Sequence, residues 1–277
     1  MDESRRHSTP SYRTDDRTDG GAGWTRRGLL GTLGAGVALA GCVARGRSGG
    51  GEEPIQRAFT VPAEQGHERV GVDVPAGRYR RARSATHSFA AAMAAARGWD
   101  VLDRLAARIR RLAASRGAGL RAVQALTAGI DYATDRESTG RLEYVRFPAE
   151  TLVDGEGDCD DKAVLLAGLL AADAFDCRTA LLMPEGHCAT LVARADLPAE
   201  LLASDPLTVA LGGTEFVYVE AVEAVSPGRT AREYGTRPRL AAFTDRWHVL
   251  DARAVAAAAS DELGRRLGNA LPVDRGG

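Results

Sequence analysis

The sequence has little net charge, few cysteines and no apolar run long enough to cross a membrane well. Its 36 basic and 37 acidic residues leave a formal charge of −1, and this balance argues against a nucleic-acid partner. Only four of the 277 residues are cysteine, so one disulfide and one free thiol at most remain once a cysteine in the leader is set aside. With 44% hydrophobic residues, the chain can form one substantial domain with a real core.

The N-terminal segment is typical of an export leader rather than of a folded domain. Residues 1–24 are polar and dotted with glycine, which predicts disorder. The pair Arg26-Arg27 then precedes a short apolar segment that ends in Leu39-Ala40-Gly41-Cys42. This arrangement resembles a twin-arginine signal followed by a lipoprotein cleavage site, and the resemblance implies that Cys42 is lipidated and anchors the protein to the membrane. The alternative is an uncleaved N-terminal anchor helix, and both place the domain outside the cytoplasm.

These features divide the chain into three parts. Residues 1–41 form the disordered tail and the signal, and residues 42–55 form a flexible Gly/Ser/Arg tether. Residues 56–277 form the domain.

A glycine-rich turn, Gly155-Glu156-Gly157-Asp158, delivers Cys159 to the start of an apolar run that ends near Ala172. The pattern predicts a helix with Asp158 as N-cap and Asp161 as its capping-box partner. Unpaired N–H groups at a helix start favour a thiolate, so Cys159 is the candidate nucleophile. The neighbouring aspartates oppose this by like-charge repulsion, and the balance depends on where their carboxylates point.

A base and an orienting acid follow in the sequence. Pro184-Glu185-Gly186-His187 predicts a hairpin turn with His187 at the start of the returning strand. Next, Phe216-Val217-Tyr218-Val219-Glu220 alternates as a strand and places Glu220 on the same face as Tyr218. The order is that of a cysteine nucleophile, a histidine base and a carboxylate that orients the ring.

These motifs resemble the transglutaminase-like superfamily of papain-like cysteine enzymes, and most closely its microbial members. The likeness covers about residues 75–225 and runs through four pieces in order: Pro148-Ala149-Glu150-Thr151-Leu152, Gly157-Asp158-Cys159-Asp160-Asp161, Pro184-Glu185-Gly186-His187 and Tyr218-Val219-Glu220.

The resemblance implies an α+β fold in which helices pack on an antiparallel sheet and the nucleophile lies at a helix N-terminus. It also implies a triad of Cys159, His187 and Glu220. Many members carry an aspartate in the third role within a Trp-x-x-x-Asp pattern, which Trp247 to Asp251 also resembles. Glu220 is preferred because it belongs to the first clear strand after His187, and Asp251 stays open.

The remaining helices and strands are predicted from the spacing of apolar residues and from the glycines and prolines that end such segments. Helices are predicted at 86–96, 99–114, 118–132 and 255–267, and strands at 247–250. An arm of irregular strands is predicted at 59–74. Residues 195–213, between base and acid, read as an insertion suited to shaping a substrate cleft.

Metal and cofactor sites are not expected. A calcium loop counted from Asp154 would need glycine at its sixth position and glutamate at its twelfth, where the chain has Cys159 and Leu165. No second ligand pair accompanies His187 and Cys188 at zinc spacing. Cys177 and Cys188 read as buried, inert cysteines.

The sequence therefore predicts a lipid-anchored, cell-surface thiol enzyme that acts on amide bonds of a protein or peptide. Water as acceptor would make it a peptidase or amidase, and an amine would make it a transglutaminase-like acyltransferase. The alternative is a non-catalytic binding or assembly module that keeps the same fold.

Overall fold

The computed structural model describes residues 52–184, 186–231, 241–249 and 255–256. The predicted signal, Cys42 and Asp251 lie outside these residues. The described residues combine helices with antiparallel sheet, which confirms the α+β class. The helices are α1 Ala76–Ser84, α2 Phe89–Ala96, α3 Asp100–Leu112, α4 Arg116–Ala128, α5 Asp135–Ser138, α6 Pro148–Asp154 and α7 Cys159–Ala171.

A seven-stranded antiparallel sheet forms the second layer, in the order β10-β9-β5-β6-β8-β7-β11. Its strands are β5 Thr179–Met183, β6 Ala189–Ala193, β7 Thr208–Leu211, β8 Thr214–Val219, β9 Ala241–Phe243, β10 Trp247–Val249 and β11 Val255–Ala256. Two smaller sheets pair β1 Ile55–Ala63 with β2 Gly66–Val74, and β3 Asp131–Tyr132 with β4 Glu156–Gly157. The adjacency of β6 and β8 brings the segments after His187 and before Glu220 side by side.

Helix α7 is the centre of the helical layer. Its residues from Asp160 to Leu170 are all buried, and it packs against α2, α4, α6 and strands β5 and β6. Gly168 permits the close approach of α2, because a Cβ there would lie 2.8 Å from the Cβ of Ala96. The sequence is apolar on all sides of this helix because no face meets solvent.

The N-terminal arm is a regular hairpin rather than the irregular strands predicted at 59–74. β1 and β2 pair without interruption from Ile55 with Val74 to Ala63 with Gly66. Val70, Val72 and Val74 alternate inward along β2, a period of two that the intervening charged residues and glycine obscure.

Two helix predictions need correction. Helix α4 ends at Ala128 instead of continuing to Tyr132, because Gly129 stops it and residues 131–132 pair with β4. Val255 and Ala256 form strand β11 against β7 rather than the start of a helix, since strand pairing overrides the helix propensity of alanine. No helix among the described residues combines the length and the apolar character that a membrane span requires.

Candidate functional site

Cys159 is the first residue of α7, as predicted. Asp158 is the N-cap, and its side chain accepts a hydrogen bond from the Asp160 backbone N–H at 3.2 Å. Asp161 Oδ2 in turn accepts from the Asp158 N–H at 3.3 Å, so the capping box is confirmed. Gly155, with φ 71°, ends α6 and turns the chain into this helix.

His187 and Glu220 meet inside the protein. The distance between His187 Nε2 and Glu220 Oε1 is 3.2 Å, and both side chains are buried. The Tyr218 hydroxyl donates to Glu220 Oε2 at 2.7 Å, and the Ala221 backbone N–H donates to Oε1 at 3.0 Å. An ionised Glu220 only accepts hydrogen bonds, so it fixes the proton of His187 on Nε2. In this tautomer of the neutral ring, Nδ1 carries no proton.

Cys159 and His187 line the same cavity of about 360 Å³. The remaining lining comes from Phe89, residues 134–136, 142–143, 158 and 160, Met183 and residues 186 and 188. The backbone N–H of Cys188, the residue after His187, is directed at the Cys159 sulfur. The histidine loop therefore packs directly against the nucleophile candidate.

The environment of Cys159 holds its thiol protonated. Burial, followed by the charges of Asp158 and Asp160, raises the pKa of Cys159 to about 12. The N–H groups of Cys188 and of Cys159 itself act in the opposite direction, but more weakly. The expectation that the helix start would favour a thiolate is therefore wrong for the free protein, because desolvation outweighs it.

The aspartates near Cys159 are themselves perturbed. Burial and a hydrogen bond to Asp158 raise the pKa of Asp160 to about 10, and burial and the charge of Asp158 raise those of Asp161 and Asp135 to about 7 and about 6. Asp160 is only 6% exposed. It therefore does not point to solvent, and its burial favours the protonated form of its carboxyl.

Three of these carboxylates lie close enough to share a cation. Oxygens of Asp135, Asp158 and Asp161 are within 4.8 Å of one another, and Asp135 Oδ1 has no hydrogen-bond partner among the described residues. Both oxygens of Asp161, however, already accept from Arg146. The predicted absence of a metal remains a prediction.

Sequence reasoning missed Arg146, a buried cation that organises the acidic turn. Its guanidinium lies 3.0 Å from Asp161, 3.2 Å from Glu156 and 3.7 Å from Asp154. Asp154 and Glu156, the first two acids of the rejected calcium-loop pattern, thus lie beside one arginine together with Asp161. The arginine precedes α6 by two residues, and no local pattern marks it as buried.

A second histidine–carboxylate pair also went unnoticed. His87 Nε2 lies 2.9 Å from Glu150 Oε2, and the Tyr144 hydroxyl donates to Glu150 Oε1 at 2.7 Å. The His87 ring stacks on Tyr144 with ring centroids 3.9 Å apart. Glu150 also accepts from the Phe147 backbone N–H, so the Pro-x-Glu motif has a structural role at the start of α6.

Two further expectations concern the surroundings of the site. None of the residues that line the Cys159 cavity comes from 195–213, so this segment does not shape the cleft. It forms two short 3₁₀ turns and strand β7. Cys159, Cys177 and Cys188 are all free thiols, and the latter two are buried as predicted.

No model of a known protein family matches this chain, and no curated protein matches it.

Proposed function

We propose that the protein is a thiol enzyme with a transglutaminase-like core, in which Cys159, His187 and Glu220 transfer or hydrolyse the acyl group of an amide. The observation that carries the proposal is the buried His187–Glu220 pair, 3.2 Å between Nε2 and Oε1, beside the cavity that contains Cys159. A nucleophile at the start of a central helix, with the base in the turn before β6 and the acid directly after the neighbouring strand β8, supports the assignment of the fold.

In this mechanism Cys159 begins as a neutral thiol. As the sulfur attacks the carbonyl carbon, His187 Nδ1 accepts the thiol proton, and Glu220 stabilises the resulting imidazolium through Nε2. The Cys159 backbone N–H, at the helix start, donates to the developing oxyanion. The imidazolium then gives its proton to the leaving amine. Water resolves the acyl-thioenzyme in a peptidase or amidase, and an amine does so in an acyltransferase.

The test is the alkylation of the full-length protein by iodoacetamide between pH 6 and pH 10, with the modified cysteine located by mass spectrometry. In the proposed enzyme, Cys159 reacts faster than its raised pKa alone allows, and His187→Gln removes this advantage. The matched control is His67→Gln, which changes an exposed histidine near the start of β2. If His187→Gln leaves the rate of Cys159 alkylation at its wild-type value, the proposal is contradicted.

The pKa of Cys159, raised to about 12 by burial and by Asp158 and Asp160, favours a second candidate, a surface binding module without catalysis. The two are separated by an electrophilic peptide, such as a peptide vinyl sulfone. An enzyme forms a covalent adduct on Cys159 that Cys159→Ser abolishes. A binding module holds the peptide reversibly in both proteins.

We also propose that the protein acts outside the cytoplasm, held at the membrane by a lipid on Cys42. The support is the paired arginines and the Leu-Ala-Gly-Cys segment of the sequence. Expressed in a bacterium with both export routes, the wild type should partition into detergent and have a lipid-modified N-terminus at Cys42 by mass spectrometry. Cys42→Ala should remain unmodified. An unmodified wild-type protein would refute the anchor.

A further inference from the structure

Three large apolar side chains are exposed on the described residues. They are Tyr132, Leu142 and Trp247, with exposed fractions of 50%, 77% and 51%. Leu142 lines the Cys159 cavity. The other described large apolar side chains are at least partly buried, so this distribution is not a general feature of the surface.

One of the exposed aromatic side chains packs against the lining of this cavity. Trp247 packs edge-on against Phe89, with ring centroids 5.5 Å apart, and Phe89 lines the cavity. Tyr132 belongs to β3, which pairs with β4 directly before the Asp158 cap of α7. Met183, half-buried at the end of β5, adds to the lining. The cavity of the nucleophile candidate is thus lined by the separate apolar side chains of Phe89, Leu142 and Met183, and Trp247 packs on the first of them.

The polar part of the lining is acidic. Asp135, Glu143, Asp158 and Asp160 contribute carboxyl groups, whereas Arg136 is the one arginine or lysine among the lining residues. Glu143 is exposed next to Leu142. A ligand that lies across this rim therefore meets apolar contacts and a net negative charge together.

We propose that this apolar and acidic rim, which we call the Cys159 rim (Leu142, Glu143, and Trp247 with Phe89), binds an extended polypeptide with large apolar side chains flanking a lysine or arginine. The proposal rests on the thiol-enzyme function above, because it names the segment whose amide Cys159 attacks. Separate apolar contacts suit an extended chain, whose successive side chains point to opposite sides. Charge complementarity to Glu143 selects the basic residue.

An anionic lipid surface is the other partner that exposed tryptophan and tyrosine can bind. The acidic lining disfavours it, because the carboxylates repel anionic headgroups. The positions of the apolar groups, around a cavity rather than on a continuous flat face, also favour a peptide chain.

The experiment measures binding to full-length Cys159→Ala by fluorescence anisotropy, so that no turnover is required. Four labelled peptides are compared. Two have leucine and phenylalanine flanking a central lysine or a central glutamate, and the other two have serine flanking the same central residues. The apolar peptide with lysine should bind about tenfold more tightly than the apolar peptide with glutamate or the serine-flanked peptide with lysine. This factor is expected for one buried apolar contact or one charge pair. Leu142→Ser should weaken its binding by a similar factor.

Glu143→Gln should abolish the preference for lysine over glutamate, whereas Glu64→Gln, an exposed residue of the β1–β2 turn, should not. Thermal unfolding midpoints equal to that of the parent show that the variants are folded. Equal binding of all four peptides overturns the proposal, as does tight binding to phosphatidylglycerol vesicles that Leu142→Ser removes. Different results would refute the two proposals. If Cys159 of the wild type forms no covalent adduct, the proposed thiol-enzyme function is refuted, whereas the order of the four peptide affinities tests the binding proposed for the Cys159 rim.

Discussion

Asp160 should be the most informative single residue to change, because the structure favours a protonated carboxyl where an ordinary aspartate is ionised. It is buried beside the nucleophile candidate and hydrogen-bonded to Asp158, and the two effects raise its pKa to about 10. Both effects favour the neutral form of its carboxyl at pH 7. Asparagine is neutral at every pH and keeps a donor toward the Asp158 carboxylate. Asp160→Asn should thus preserve the charge around Cys159.

The same change should stabilise the protein. A carboxyl with a pKa of 3.8 in the unfolded chain costs about 4 kcal/mol to keep protonated at pH 7, at 1.36 kcal/mol per pH unit. Asparagine avoids this cost, and allowing for imperfect fit the gain should be about 2–4 kcal/mol, or roughly 5–15 °C in Tm. Because the folded pKa lies above the unfolded pKa, the contribution of Asp160 to stability is greatest below pH 4 and is lost as the pH rises toward 10.

The assay is urea unfolding of wild type and variant at pH 5, 6, 7 and 8. The stability difference should grow by about 1.4 kcal/mol per pH unit over this range. Asp173→Asn, which changes an exposed aspartate just beyond α7, is the matched control and should show no such slope. A difference independent of pH, or a variant less stable than wild type at pH 7, would mean that Asp160 is ionised and that the reasoning is wrong.

Three more changes address the site. Asp158→Asn keeps an N-cap acceptor but removes a charge, so the pKa of Cys159 should fall and its alkylation at pH 8 should accelerate at least threefold. Glu220→Gln should lower kcat on any substrate by about 100-fold or more while alkylation of Cys159 at pH 10 persists, because the amide no longer stabilises the His187 imidazolium. Arg146→Met should reduce the free energy of unfolding by about 3–5 kcal/mol in urea titrations, since it leaves buried carboxylates without their cation.

Local sequence signals predicted the parts of the site that depend on neighbouring residues. The cap formed by Asp158 and Asp161 follows from spacing alone. The meeting of His187 and Glu220 follows from strand order, because β6 and β8 pair and the register sets Thr190 opposite Val219. The geometry of Glu220 is described, whereas Asp251 lies outside the described residues.

Long-range burial was not predictable in the same way. The sequence marks Asp160 as an acid at a helix start, where solvent exposure is usual, but the protein buries it. Arg146 pairs with acids up to 15 residues away, and His87 meets Glu150 across 63 residues. Neither periodicity nor capping rules report such pairings. The regular β1–β2 hairpin was missed because charged side chains alternate with its valines.

The two reacting groups sit on segments with different local stabilities. Helix α7 is buried along its length, so its amide hydrogens should exchange only through global unfolding. In the turn that carries His187, the described residues form a backbone hydrogen bond from His187 N–H to Pro184 O at 3.1 Å, and the turn includes Gly186 with φ 72°. Hydrogen exchange should therefore be faster in this turn than in α7. The fraction of molecules with an assembled site is then set by the opening of the histidine turn, and a ligand that bridges both segments would slow exchange in the turn alone.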